Sequence, residues 1–220
     1  MDVRTQFHTD LVRLARDTET LGVLVADAIE ASLRQLMAGD RGGAERLIEH
    51  DSDLNGRRYA IEREALTLIA TQQPVARDMR RVAALIDIAG ELERIGDYAK
   101  GISEIQLKLD APMSPQVQSL LHEMAQLSAG MLRRSMVALD GLDVDEARRL
   151  IAEDDRVDDL FKQVFSHVMQ WEGRGEAVLE RANYVLWMAH NLERTADRVT
   201  NICERILFTT TGELGGPHAG

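Results

Sequence analysis

The sequence predicts an all-α protein built as two pseudo-symmetric three-helix bundles in tandem. Apolar residues recur three and four apart almost throughout, as in Phe7, Leu11, Leu14 and Ala15, continued by Val25, Ala28, Ile29 and Leu33. Aromatic residues make up only 4%, and no alternating apolar and polar run lies between turn residues, which leaves no strand signal. The chain also repeats itself. LERIGD at 92–97 returns as LERTAD at 192–197, an offset of 100, and AERLI at 44–48 followed by Asp51 returns as ARRLI at 147–151 followed by Asp154, an offset of 103.

Breaks in this pattern give the elements in order. Gly39-Asp40-Arg41-Gly42-Gly43 ends a first long helix, and Thr71-Gln72-Gln73-Pro74 ends a second, with Pro74 suited to the first turn of a third. The stretch Asp110-Ala111-Pro112-Met113-Ser114-Pro115 interrupts the chain near its middle. Ser114 reads there as an N-cap and Pro115 as the first helical residue. The fourth helix runs to about Asp140, and Asp143 with Glu146 forms a capping box for the fifth, closed by Glu172-Gly173-Arg174-Gly175. A last helix runs from about Val178 to Thr209. The expected division is a first bundle over 1–111, a second over 112–212, and a frayed tail over 213–220.

Composition narrows the function. A net charge of −11 with no dense cluster of Lys and Arg argues against direct nucleic-acid binding. No apolar run approaches the roughly 18 residues of a membrane span, so membrane contact is expected only through partners. The single cysteine, Cys203, lies among apolar positions and reads as core, and nothing at the N-terminus resembles a signal peptide; a reducing cytoplasm is the expected location. The chain has no phosphate-binding G-x-x-x-x-G-K-[ST] loop, no G-x-S-x-G and no cysteine pair for zinc. Its six histidines share no metal-ligand spacing, and none follows a Glu by three residues, so the Glu-x-x-His signature of di-iron bundles is missing. Trp171 and Trp187 read as packing residues.

One pattern calls for chemistry. At about 100° per residue, Glu93, Asp97 and Glu104 fall within about 40° of one another on their helix, and Glu193, Asp197 and Glu204 reproduce the stripe. Leu85, Ile88, Leu92, Ile95, Ala99 and Ile102 form a separate apolar arc, matched by Met188, Leu192, Val199, Ile202, Cys203 and Ile206. The second helix of each half adds Asp51 with Asn55, and Asp154 with Asp158, again four apart and again equivalent under the repeat. Like charges four apart cost about 0.2–0.5 kcal/mol per pair, so the stripe needs an offsetting cation. Two sources fit. Arg94 and Lys100 beside Asp97, and Arg194 beside Asp197, supply solvated ion pairs; alternatively the oxygens converge on a hard cation such as Mg²⁺, Mn²⁺ or Ca²⁺, or on iron.

Beyond these patterns, the chain resembles the PhoU family, the accessory and regulatory proteins of bacterial phosphate transport. The resemblance is carried by QPVARDMR at 73–80, LERIGD at 92–97, residues 147–158, and LERTAD at 192–197 with Asn201-Ile202-Cys203-Glu204, and spans roughly residues 7–212. It implies acidic E-x-x-x-D motifs, here Glu93 with Asp97 and Glu193 with Asp197, that bind Fe, Zn, Mn, Mg or Ca ions; Asp51, Asn55, Asp154, Asp158, Glu104 and Glu204 are secondary candidates. It further implies a non-enzymatic cytoplasmic homodimer linking the ATPase subunit of a phosphate ABC transporter to a phosphate-sensing histidine kinase, so as to hold the phosphate regulon off. Thr195-Ala196 departs from the Ile-Gly usual in the motif. Two other readings stand beside this one: a carboxylate-bridged metal enzyme, oxidase or hydrolase, and a helical scaffold whose acids are merely solvated.

Overall fold

The computed structural model describes residues 3–110, 113–171 and 175–212, which form six helices: α1 (Val3–Ala38), α2 (Arg41–Gln72), α3 (Ala76–Gln106), α4 (Pro115–Gly141), α5 (Val144–Met169) and α6 (Glu176–Thr211). The breaks read from the sequence are real, with two shifts. The run 39–43 is only in part a loop: Gly39 turns the chain at φ +65°, Asp40 caps α2 by accepting from the Gly43 N–H, and the helix starts already at Arg41. Gly43 leaves room for this cap, since a Cβ there would stand 2.4 Å from the Asp40 Oδ2 and that side chain would have to shift. Pro74 lies before α3 rather than in its first turn, since Gln73 turns left-handed at φ 48° and Val75 is extended at the N-cap. Ser114 caps α4 above Pro115 as expected. Asp143 accepts from the N–H groups of Asp145 and Glu146, but the Glu146 carboxylate turns to Arg134 and Arg149, so the capping box is half formed. The expected closing stretch 172–174 and the tail 213–220 lie outside the described residues.

The two halves share one core. Within each half the outer helix, α2 or α5, packs on the other two; α1 additionally packs on α4, and α3 on α6. The predicted apolar arcs of α3 and α6 are buried throughout, and a single cluster of buried side chains runs from Phe7 to Ile206. Each fully buried Leu, Ile or Met in it contributes about 1.5–3 kcal/mol. Cys203 is core as predicted, its thiol pushed up to about 12 mainly by burial and therefore unreactive. Trp171 packs against the core edge, whereas Trp187, expected to pack, is 60% exposed because Val185 and Met188 occupy the buried arc of α6.

A polar latch crosses the shared interface. Glu91 Oε2 on α3 accepts from Arg198 Nη1 and from Asn201 Nδ2 on α6, both at 3.2 Å, and the Arg198 Nε donates to the Tyr98 hydroxyl. The repeat places Asn191 opposite Gly101 where Asn201 faces Glu91, and a Cβ on Gly101 would stand 3.0 Å from Asn191 Nδ2. The crossing is thus pseudo-two-fold in backbone, but the Glu91 latch has no charged counterpart at Asn191 and Gly101. Replacing Glu91 by Ala should lower stability by about 2 kcal/mol, the worth of hydrogen bonds to a charged group kept from water. Replacing Lys162, whose ion pair with Asp159 is exposed on both sides, should leave stability nearly unchanged. Urea unfolding of both variants checks the contrast.

Candidate metal centres

The acidic stripe faces the outer helix in each half, and the halves resolve its charge differently. In the first, Asp51 of α2 is buried to 7% exposure and bound twice: Lys100 Nζ of α3 and Asn55 Nδ2 each donate to its Oδ2 at 3.1 Å. Lys100 therefore reaches across to Asp51 rather than along the helix to Asp97, and its own pKa is raised chiefly by that hydrogen bond. Asp97 is exposed, yet its carboxyl sits above the ordinary range, through partial desolvation first and then the charge of Asp51. Glu93 is half-buried and Glu104 exposed. Among the described residues Arg94 forms no ion pair with Asp97, so that expected pairing is absent.

In the second half the lysine is gone. Thr200 stands where Lys100 does and spends its hydroxyl on the Asp197 carbonyl at 2.7 Å, while Asp158 replaces Asn55. Four half-buried carboxylates, those of Asp154, Asp158, Glu193 and Asp197, now act on one another. The Asp154 carboxyl is pushed up to about 7, first by burial and then by the charges of Asp197, Asp158, Asp155 and Glu193, and its Oδ1 is buried with no hydrogen-bond partner. Burial followed by Asp197 likewise raises Asp158 and Glu193. Two basic side chains touch the rim: Arg194 Nη1 is 3.4 Å from Asp197 Oδ2, as the sequence suggested, and His190 Nδ1 is 3.0 Å from Glu193 Oε2. His190 escaped the sequence reading; its signal is a His three residues before a motif Glu. Glu204 is exposed and is not among the charges that raise Asp154, Asp158 and Glu193.

The departure at Ala196 is accommodated. A Cβ on Gly96 would lie 3.4 Å from Leu54 Cδ1, and at the position equivalent to Leu54 the second half carries the shorter Val157. The larger helix residue meets the smaller partner, so both acids of the second motif keep their places. Among the described residues no three acidic, His or Cys side chains converge on one point closely enough to hold an ion. What the second half does provide is an all-oxygen donor set, an orphaned buried carboxylate oxygen and unneutralised charge, which fit a hard cation. The first half fits one less well, because Lys100 already supplies the charge.

A PhoU-domain family model matches residues 18–106 and 121–206, one copy for each half. The chain belongs to the PhoU family. The phosphate-specific transport system accessory protein PhoU homolog of Streptococcus pneumoniae serotype 4 is 31% identical over 212 residues, spanning 96% of this chain and 98% of that protein. The accessory protein PhoU of Escherichia coli K12 is 28% identical over 208 residues, or 94% of this chain and 86% of that one. The crystal structure of the phosphate transport system regulatory protein PhoU from Streptococcus pneumoniae superposes with a TM-score of 0.87 at 28% identity, over 96% of this chain and 99% of that chain. PhoU from Pseudomonas aeruginosa, at 24% identity, shares the fold with a TM-score of 0.87 over 94% and 100% of the two chains.

For this PhoU chain the raised carboxyl of Asp154 has a thermodynamic consequence. A group that holds its proton more tightly folded than unfolded stabilises the fold at low pH, and the contribution is lost as pH rises from about 4 through about 7. In metal-free protein kept in chelator, Asp154→Asn should flatten the fall in melting temperature across that window. It should also raise the melting temperature at pH 8 by about 3 °C, equivalent to about 1 kcal/mol. A parallel loss of stability in wild type and variant on going from pH 5 to pH 8 would contradict this reading.

Proposed function

We propose that the protein is a cytoplasmic, non-enzymatic regulator of phosphate uptake and phosphate-starvation signalling. The observation that carries this is the match along nearly the whole chain, both halves included, to proteins named as accessory and regulatory components of phosphate transport. In this reading the protein damps uptake and signalling by contacting the ATPase subunit of a phosphate ABC transporter and a phosphate-sensing histidine kinase, and it works as a homodimer. No helix among the described residues is long and apolar enough to cross a membrane, so contact with the transporter runs through its cytoplasmic parts.

The acidic motifs supply the regulatory chemistry. Asp154, Asp158, Glu193 and Asp197 would hold a hard divalent cation, Mg²⁺, Mn²⁺ or Ca²⁺, whose charge would replace the proton that burial otherwise forces onto Asp154. Glu93 and Asp97, with Asp51 tied to Lys100, would hold one more weakly. These side chains link α5 to α6 and α2 to α3, so neutralising them stiffens the outer helix against its neighbour.

Two measurements test the proposal. In cells lacking this protein and grown at high phosphate, wild type should silence a phosphate-starvation reporter, and wild type should pull down the transporter ATPase; soluble protein that does neither would refute the regulatory role. In calorimetry with Mn²⁺, replacing Asp154, Asp158, Glu193 and Asp197 together by Ala should weaken binding by at least roughly tenfold, more than replacing Glu93 and Asp97, because affinity follows the count of uncommitted ligand charges.

A further inference from the structure

The internal repeat exposes a difference far from the second acidic cluster. The turn between α1 and α2 and that between α4 and α5 are the same turn displaced by 103 residues: Gly39 and Asp40 donate to the carbonyls of Leu36 and Gln35, as Leu142 and Asp143 donate to those of Leu139 and Ala138. Ser32 and Ser135 bond back to Ile29 and Leu132 in the same register. Positions along the two hairpins can therefore be matched one to one. In the second, Arg134 on α4 closes the seam with α5 by binding Glu146 and Glu153, above a fully buried Met131. The matching residues in the first are Ala31, Gly43, His50 and Ala28.

All four line a groove of about 470 Å³ between α1 and α2. The fold does not require this opening, because the same hairpin in the second half is bridged by Arg134. The floor is mostly apolar, with Leu24, Leu47 and Leu54 partly exposed in it, and it extends from Leu24 to Gln35, about 16 Å along α1. Gln35 carries a buried Oε1 with no hydrogen-bond partner. An apolar trough of this volume with few polar groups has the make-up of a small-molecule site.

Charge selects the class of ligand. Of the carboxylates at the groove, Asp27 is bound by Arg133 at 2.7 Å and Asp51 by Lys100 at 3.1 Å, which leaves Asp53 uncommitted. Of the guanidiniums, Arg57 has no partner among the described residues, and Arg34 and Arg46 make only long, exposed pairs, 3.6 Å to Glu30 and 3.8 Å to Asp40, of the kind worth little. The three arginines are thus, with Asp53, the most loosely held charges at the mouth, which carries as many aspartates, and Arg57 among them is free to meet a ligand. We propose that the α1–α2 groove binds a small amphiphilic acid, with its apolar body on Leu24, Leu47 and Leu54 and its acidic group against the arginines of the rim.

The test uses the full chain in chelator, which separates this site from the acidic clusters, with anilinonaphthalene sulfonate as a fluorescent probe and decanoate below its micellar concentration as competitor. One probe should bind per chain, and decanoate should displace it where decylammonium does not. Ala28→Met, which copies the buried Met131 of the second half, should weaken binding at least tenfold with its circular dichroism unchanged. Arg57→Glu, on an exposed side chain, should weaken it about fivefold and narrow the preference for decanoate; should Ala28→Met fail to fold, this variant decides alone. Equal binding by wild type and variants, displacement by decylammonium as readily as by decanoate, or no binding at all would overturn the proposal, the last leaving the groove to a protein partner.

Discussion

Burial of α3 and α6 on three sides is the constraint on which the rest of the structure depends. Each of these helices packs on both other helices of its own half and on its counterpart across the interface. Apolar side chains therefore hold one arc of each helix, and charge is confined to the rest, where one narrow sector is acidic. The residues in that sector are Glu93, Asp97 and Glu104, or Glu193, Asp197 and Glu204, and the adjoining outer helix brings Asp51 or Asp154 against them. Crowded carboxylates are a product of this packing rather than an ornament on it. Spread over an isolated amphipathic helix the same acids would be fully hydrated and would repel one another by a few tenths of a kcal/mol. Half-buried beside a second helix, they lose water as well, and desolvation heads the causes that raise Asp97, Asp154, Asp158 and Glu193.

Duplication then allowed two answers to one electrostatic problem. The first half neutralises its most buried carboxylate internally, through Lys100, and replaces one acid of the set by Asn55. The second half retains four carboxylates, offers Thr200 in place of the lysine, and keeps its basic side chains, Arg194 and His190, at the rim. Packing followed its own compensation, with Leu54 over Gly96 in one copy and Val157 with Ala196 in the other. The same independence of the two copies appears in the α1–α2 seam, where small residues stand in for the Arg134 bridge. Backbone symmetry is preserved because the shared core demands it; side chains facing water or the seam are under no such demand.

Periodicity made the fold legible in the sequence. Every residue of the two predicted apolar arcs is buried, and Ser114-Pro115 and Asp143 mark their helix starts, because these signals are local and act through the backbone. Legibility failed where a distant partner decides. Nothing on α3 indicates whether Lys100 turns along its own helix to Asp97 or across to Asp51, since both lie within reach of a flexible ammonium. Spacing among the histidines does not reveal His190, because its neighbour is a carboxylate one turn away. The bulk of Trp187 suggests burial, but Val185 and Met188 fill the buried arc of α6 and leave it facing water. The groove could be found only by laying one hairpin on the other, which the offset of 103 permits once the turns are seen to coincide.

The asymmetry between the halves bears on how a rigid helical scaffold responds to its surroundings. A pairing between fixed charges of one chain, such as Asp51 with Lys100, is present under all conditions in which both groups are ionised, so the contact of α2 with α3 is constitutive. In the second half the most buried carboxylate, Asp154, has no such internal partner and is relieved by a proton instead, so the contact of α5 with α6 varies with pH. Such a contact changes free energy without repacking the core, because the acids lie outside the apolar arcs. The shared interface through Glu91, Arg198 and Asn201 fastens α6 to α3 independently of that charge, so a change at α5 is confined to the outer layer of the second half. α5 lies in that outer layer, so the helix whose packing varies with the charge of the cluster is also one that faces water.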